Sequence, residues 1–195
     1  MRILLALGLA LFFPATAFAH PDTTGTLGLM HGFVHPLGGV DHVLAMLAVG
    51  VFAYVLGGRA LILVPLSLVA MMLVGFLFGV SDVDLPMVEL AIAASSIIIG
   101  AAAALGRPMP LAGAMALVGS FAIFHGQAHG AEMPANSAGA LYAAGFVGAT
   151  ALLHATGIVA AAGTNRIFAT RGKLIAQLVG GAVAVGGVGV LLGWL

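Results

Sequence analysis

Long apolar runs, interrupted only by short turns of glycine, proline and arginine, constrain this chain more than any other feature. A bilayer is crossed by about twenty consecutive apolar residues in a helix. Six such runs are found, near residues 41–56, 60–79, 86–105, 109–130, 137–163 and 174–195, separated by breakers such as Gly57-Gly58-Arg59 and Gly106-Arg107-Pro108. The first is short and is expected to be completed by the residues before it. With 62% hydrophobic and 6% charged residues, the chain lies far from the roughly 25% charge of an ordinary soluble domain. The expected fold is all-α: a polytopic six-helix transmembrane bundle forming a single domain over residues 20–195, after a cleaved signal peptide over residues 1–19.

That leader reads from Arg2 as its positive start, through an apolar core over residues 3–13, to the small-x-small cleavage site Ala17-Phe18-Ala19. An uncleaved first transmembrane helix is the alternative. Cleavage would leave His20 at the mature start, where its imidazole and the free α-amine could chelate one metal ion together. Starting outside the inner membrane of a bacterium, the spans then carry Arg59, Arg107, Arg166, Arg171 and Lys173 to cytoplasmic turns, as the positive-inside rule requires. Asp22, Asp41, Asp82, Asp84, Glu89 and Glu132 all fall on the periplasmic side or in its membrane half. The sequence has no basic patch for nucleic acid and no P-loop for a nucleotide. Cysteine is absent, which excludes disulfides and thiolate sites and leaves nitrogen and oxygen ligands for any metal.

Seven histidines share this apolar chain, and five of them gather in two places. Ionisable groups are costly in hydrocarbon, so such gatherings point to function. The first runs from His31 through His35 to Asp41 and His42. Pro36 is expected to push His35 out of helical geometry, and Gly38-Gly39 permits a sharp turn, giving a broken or re-entrant helix of the kind that lines cavities. His31 and His35 share a face if the short helix persists that far. Asp41 suits the positive N-terminus of the next helix, where simple capping is its alternative role. The second group sets His125, His129 and Glu132 at spacings of four and three, so a continuous helix aligns two imidazoles and a carboxylate that could converge on one ion. A hydrogen-bonded packing role is the alternative for any one of these histidines. Gly126 and Gly130 allow close helix approach or local unwinding. Glu89, one turn into the third span, could reach the same vestibule or simply stabilise its helix start. His154 lies deeper and could be a later station or a packing residue.

The run HPLGGVDH over residues 35–42 resembles the H-x5-D-H signature of the HupE/UreJ family, and FHGQAHGAE over residues 124–132 resembles that family's second motif. The likeness covers nearly the whole chain. It implies a nickel permease, sometimes of wider cobalt range, serving hydrogenase or urease maturation. It also implies metal-path roles for His35, Asp41, His42, His129 and Glu132, and matches Glu89 to an acidic position in the third span.

From the residues themselves, histidine and carboxylate suit divalent metals such as nickel, cobalt or zinc. The expected activity is facilitated diffusion of nickel across the bacterial inner membrane, with several moderately weak sites and no enzyme chemistry. Two alternatives compete. One is an intramembrane metal-dependent hydrolase, for which no H-E-x-x-H motif is present; the other is a metal sensor that binds without flux. Partners are the ion and the lipid bilayer, and the oligomeric state is open.

Overall fold

A single residue, Gly39, sets the bend between the first two described helices. The computed structural model describes residues 24–168 and 171–194; the expected signal peptide, His20 and Asp22 lie outside the described residues. Among the described residues there are seven helices and no strand: α1 Thr24–Gly38, α2 Val40–Leu56, α3 Ala60–Val80, α4 Val88–Leu105, α5 Leu111–Ala131, α6 Gly139–Ile167 and α7 Gly172–Leu191. Gly39 separates α1 from α2 with extended backbone, φ −98° and ψ 121°, and the stretch Gly28–Gly38 meets Val40–Leu56 at 86°. With 17 residues, α2 reaches about 26 Å at 1.5 Å per residue, short of a hydrocarbon core of about 30 Å. The bent pair therefore acts as one broken span. Helices α3 to α7 are each long and apolar enough to cross alone, and with the bent pair counted as one span they match the six expected, with ends shifted by a few residues.

One expectation is corrected. Pro36 does not expel His35 from helical geometry, because α1 continues through Pro36 to Gly38. Proline removes only its own N–H, here two residues before the helix ends, and the glycine pair after it takes the turn. His31 and His35 thus remain one helical turn apart on the same face.

Helix α2 runs through the middle, packed against α1, α3, α4, α6 and α7. Around it α3 pairs with α5, α4 with α7 and α1 with α6. In a bilayer, burial from water no longer drives helices together, so association rests on close van der Waals packing at small residues. The α3–α5 crossing shows this plainly. Gly75 and Gly79 on α3 face Gly126 and Gly130 on α5: a Cβ at Gly126 would strike the Met72 carbonyl and lie 2.8 Å from Phe76 N, and one at Gly130 would lie 2.9 Å from Gly79 Cα. Close approach, rather than unwinding, is therefore what the two motif glycines provide.

The connections divide by charge. Arg59 and Arg107 flank the turns at one end of the bundle and share a cavity there with Lys173. Glu132 lies at the other end, as do the α3–α4 turn, which receives a long hydrogen bond from Gln127 Nε2 to Val83 O at 3.5 Å, and the α1–α2 break.

Gly126→Val should lower thermal stability in detergent by about 2 kcal/mol or more, as expected for overpacking a tight crossing. Gly38→Ala, with open space around its Cβ, should change it by less than about 0.5 kcal/mol. Differential scanning fluorimetry of the purified protein reads both, and equal melting temperatures for the two variants would refute the close-packing role.

Candidate metal path

Three helices bring the two histidine groups together at the acidic end. From α5, His125 and His129 point inward and are each 1% exposed; from α2, His42 is 8% exposed. The rings form a chain: His125 to His42 at 4.4 Å between centroids, His42 to His129 at 4.4 Å, and His129 to His35 of α1 at 5.2 Å. Above them His35 Nε2–H donates to Glu132 Oε2 at 2.7 Å. This pair is exposed and lines a cavity of about 260 Å³ with His31, Val34, Pro134 and Tyr142. The path thus descends from an acidic mouth into buried imidazoles.

The hydrogen bonds fix how those imidazoles present their lone pairs. The Ser95 hydroxyl donates to the Ile92 carbonyl at 2.6 Å, so its oxygen accepts from His125 Nε2–H at 2.9 Å. His125 Nδ1 must then accept from His42 Nε2–H at 3.1 Å. A neutral imidazole carries one N–H, which leaves His42 Nδ1 with a free lone pair. Both ring nitrogens of His129 are buried without a partner, although its ring stacks on Phe146 at 5.1 Å and an interplanar angle of 11°. Unpaired buried polar atoms are uncommon in native proteins. His42 Nδ1 and whichever nitrogen of His129 carries its lone pair are the candidate open donor positions of the cluster.

Asp41 sits in the first turn of α2 and its Oδ1 accepts from the His42 backbone N–H at 2.8 Å. It therefore does cap, in part, while its charge suits the positive helix start. The second group does not converge on one ion as its spacing suggested: among the described residues no three histidine, aspartate or glutamate side chains are arranged to hold a metal together. Two of its members are engaged across the bundle instead, His125 by Ser95 and His42 and Glu132 by His35, while His129 has no hydrogen-bond partner. Glu89 stands exposed in the first turn of α4 and contacts none of these side chains through a hydrogen bond or ion pair. His31 lines the mouth, and His20 lies outside the described residues.

Several contributors have no signal in the local sequence. Ser95 sets the tautomer of His125. Tyr142, 1% exposed with an unpartnered hydroxyl, lies 6.2 Å from His35 between ring centroids. Phe76 and Phe146, 5.2 Å apart, wall the buried side. Gly32 of α1 lets that helix press against the Tyr142 backbone, which brings His35 to the cluster. Only the GLMHG pattern over residues 28–32 hints at this, as a small-xxx-small face.

Comparisons with known proteins identify the chain's relatives. The family model described as HupE / UreJ protein matches residues 7–191. "Protein HupE" of Rhizobium leguminosarum bv. viciae is 41% identical over 184 residues, covering 94% of each chain. No solved structure matches.

Ser95→Ala should cost about 1–3 kcal/mol of stability, since it strands the buried His125 Nε2–H. Ser96→Ala, which loses only a bond to its own helix at Ala93 O, should cost clearly less. Urea titration of the two purified variants compares them; a Ser95→Ala cost no larger than that of Ser96→Ala would show that Ser95 does not hold His125.

Proposed function

The chain belongs to the HupE/UreJ family, and on that premise we propose that it is a permease carrying nickel, with cobalt as a second substrate, through the bacterial inner membrane to hydrogenase or urease maturation. The family places it with accessory proteins of nickel and cobalt supply rather than with enzymes. The observation that carries the reading is the unbroken file of imidazoles from His35 through His129 to His42 beneath the Glu132 carboxylate.

The carboxylate and His35 at the mouth meet the hydrated ion first. His129 and the free Nδ1 of His42 then replace water ligands one or two at a time. A path of one- and two-ligand stations suits passage, because a site that bound too tightly would hold the ion. Nickel binds nitrogen and oxygen donors more strongly than cobalt does, by the usual order of divalent metals. Membership of this family counts against the hydrolase alternative. The orientation that fits is periplasmic for the Glu132 end and cytoplasmic for the arginine end.

Radioactive nickel uptake into cells lacking their own nickel transporters tests the proposal. Wild type should give saturable uptake, and His42→Ala and Glu132→Ala at matched membrane expression should fall to below about a tenth of it, the effect of adding about 1.4 kcal/mol to the barrier. No uptake by well-expressed wild type would reject the permease reading in favour of a metal sensor.

A further inference from the structure

Below the imidazole file, the buried end of the path carries one more histidine. His154 on α6 is 2% exposed and neither ring nitrogen has a partner; one turn before it, Thr150 is fully buried with its hydroxyl also unpartnered. Burying such a group unpaired is costly, by about 1–3 kcal/mol each. Two adjacent ones in the same place call for a ligand.

The position of His154 relative to the file follows from the packing of α2 on α6. Phe146 stacks on His129, which lies against His42, so Phe146 and His42 are level. Eight residues further along each helix, Gly50 packs directly on the His154 carbonyl, with its Cβ position 3.0 Å from Gly157 Cα. The two helices therefore run parallel and in register over about 12 Å, at 1.5 Å per residue. Midway along this interval sit Met46 and Thr150, both 0% exposed. The stretch ends at His154, well past the outer cluster and toward the arginine end.

We propose that His154, with the Thr150 hydroxyl above it, is a second binding station for a divalent transition-metal ion, on the inner half of the route. The inference rests on the permease reading. An ion released from His42 and His129 faces an otherwise apolar interval, and the imidazole of His154 supplies the next nitrogen donor, while Thr150 supplies an oxygen and Met46 a weak thioether contact on the way. Water alone as the partner of His154 is the competing account.

Two measurements on the full chain separate these possibilities. In the purified protein with ¹⁵N-labelled histidine, Zn²⁺ serves as a diamagnetic probe, because direct ligation moves the ¹⁵N resonance of the bound ring nitrogen whereas an ion at a distant site does not. The His154 resonance, identified by its loss in His154→Gln, should shift on titration. In nickel uptake, His154→Gln should lower the maximal rate about tenfold, an added barrier of one decade in rate, while the half-saturating concentration stays within about twofold, since capture at the outer mouth is intact. Thr150→Val, which keeps the side-chain shape, should lower the maximal rate in the same sense and serves if His154→Gln folds poorly. An unshifted His154 resonance overturns the proposal, and so does an unchanged maximal rate in both variants. If wild type transports normally under either result, the permease reading stands and only the inner station falls. Absent wild-type transport removes the permease reading and with it the inner station as a step on a route.

Discussion

The crossing of α3 and α5 at four glycines is the contact on which the remaining features depend. Gly75 and Gly79 against Gly126 and Gly130 draw the two backbones together, and this sets the height and rotation of α5. His125 and His129 immediately precede those two α5 glycines, so the same stripe that docks the helix also turns the imidazoles toward α2. A bulkier residue at either glycine would displace a ligand as well as loosen a helix pair. In lipid no burial from water compensates such a loss, because hydrocarbon surrounds the bundle as well as filling it.

The buried histidines are held by a directional chain rather than by a common ligand. It begins at the Ile92 carbonyl, passes through Ser95 and His125, and ends at His42 with one lone pair left open. Such an arrangement fixes the outer shell before any ion arrives, in the way that partners of a metal ligand commonly set its tautomer. It also limits how many donors one ion can collect. His125 is saturated by its neighbours, Glu132 is engaged by His35, and within the buried outer cluster His42 Nδ1 and one nitrogen of His129 are left without a hydrogen bond. Strong retention would need three or more donors gathered at one point, and among the described residues no such group is found.

The overall fold was largely legible in the sequence, and the reasons are local. Continuous apolar runs of the right length report directly on spans, and Gly57-Gly58, Gly106 and the Gly38-Gly39 pair report on their ends. Even the broken first span could be read, from an apolar stretch too short to cross. What escaped was decided between helices. Pro36 proved compatible with α1 because the glycine pair downstream took the bend, a competition that residue-level preference does not resolve. Ser95, Tyr142 and Phe146 reach the site from α4 and α6, and nothing in their own segments marks them. His125 and His129 do share one helix while Glu132 falls just past its end, and the three do not converge because Ser95 and His42 engage His125 and His35 engages Glu132. Glu89, offered by family likeness, stands exposed at the start of α4 and awaits a reason from outside this set of contacts.

The separation of charge between the two ends bears on how an ion would move. Carboxylates gather at one end and cations at the opposite turns, and among the described residues no carboxylate is buried between them, so under the permease proposal a divalent ion would cross that interval without one. Neutral imidazoles are suited to that interval: they bind through a lone pair, and an unpaired carboxylate in the same place would carry a much larger desolvation cost when the ion leaves. Glu132 avoids that cost by remaining exposed beside His35, where it can attract cations and stay hydrated between them. The distribution of acid outside and imidazole inside thus follows from the dielectric alone. On the proposed permease reading, the transition from the mouth to His129 would be the step at which the ion exchanges hydration for nitrogen donors.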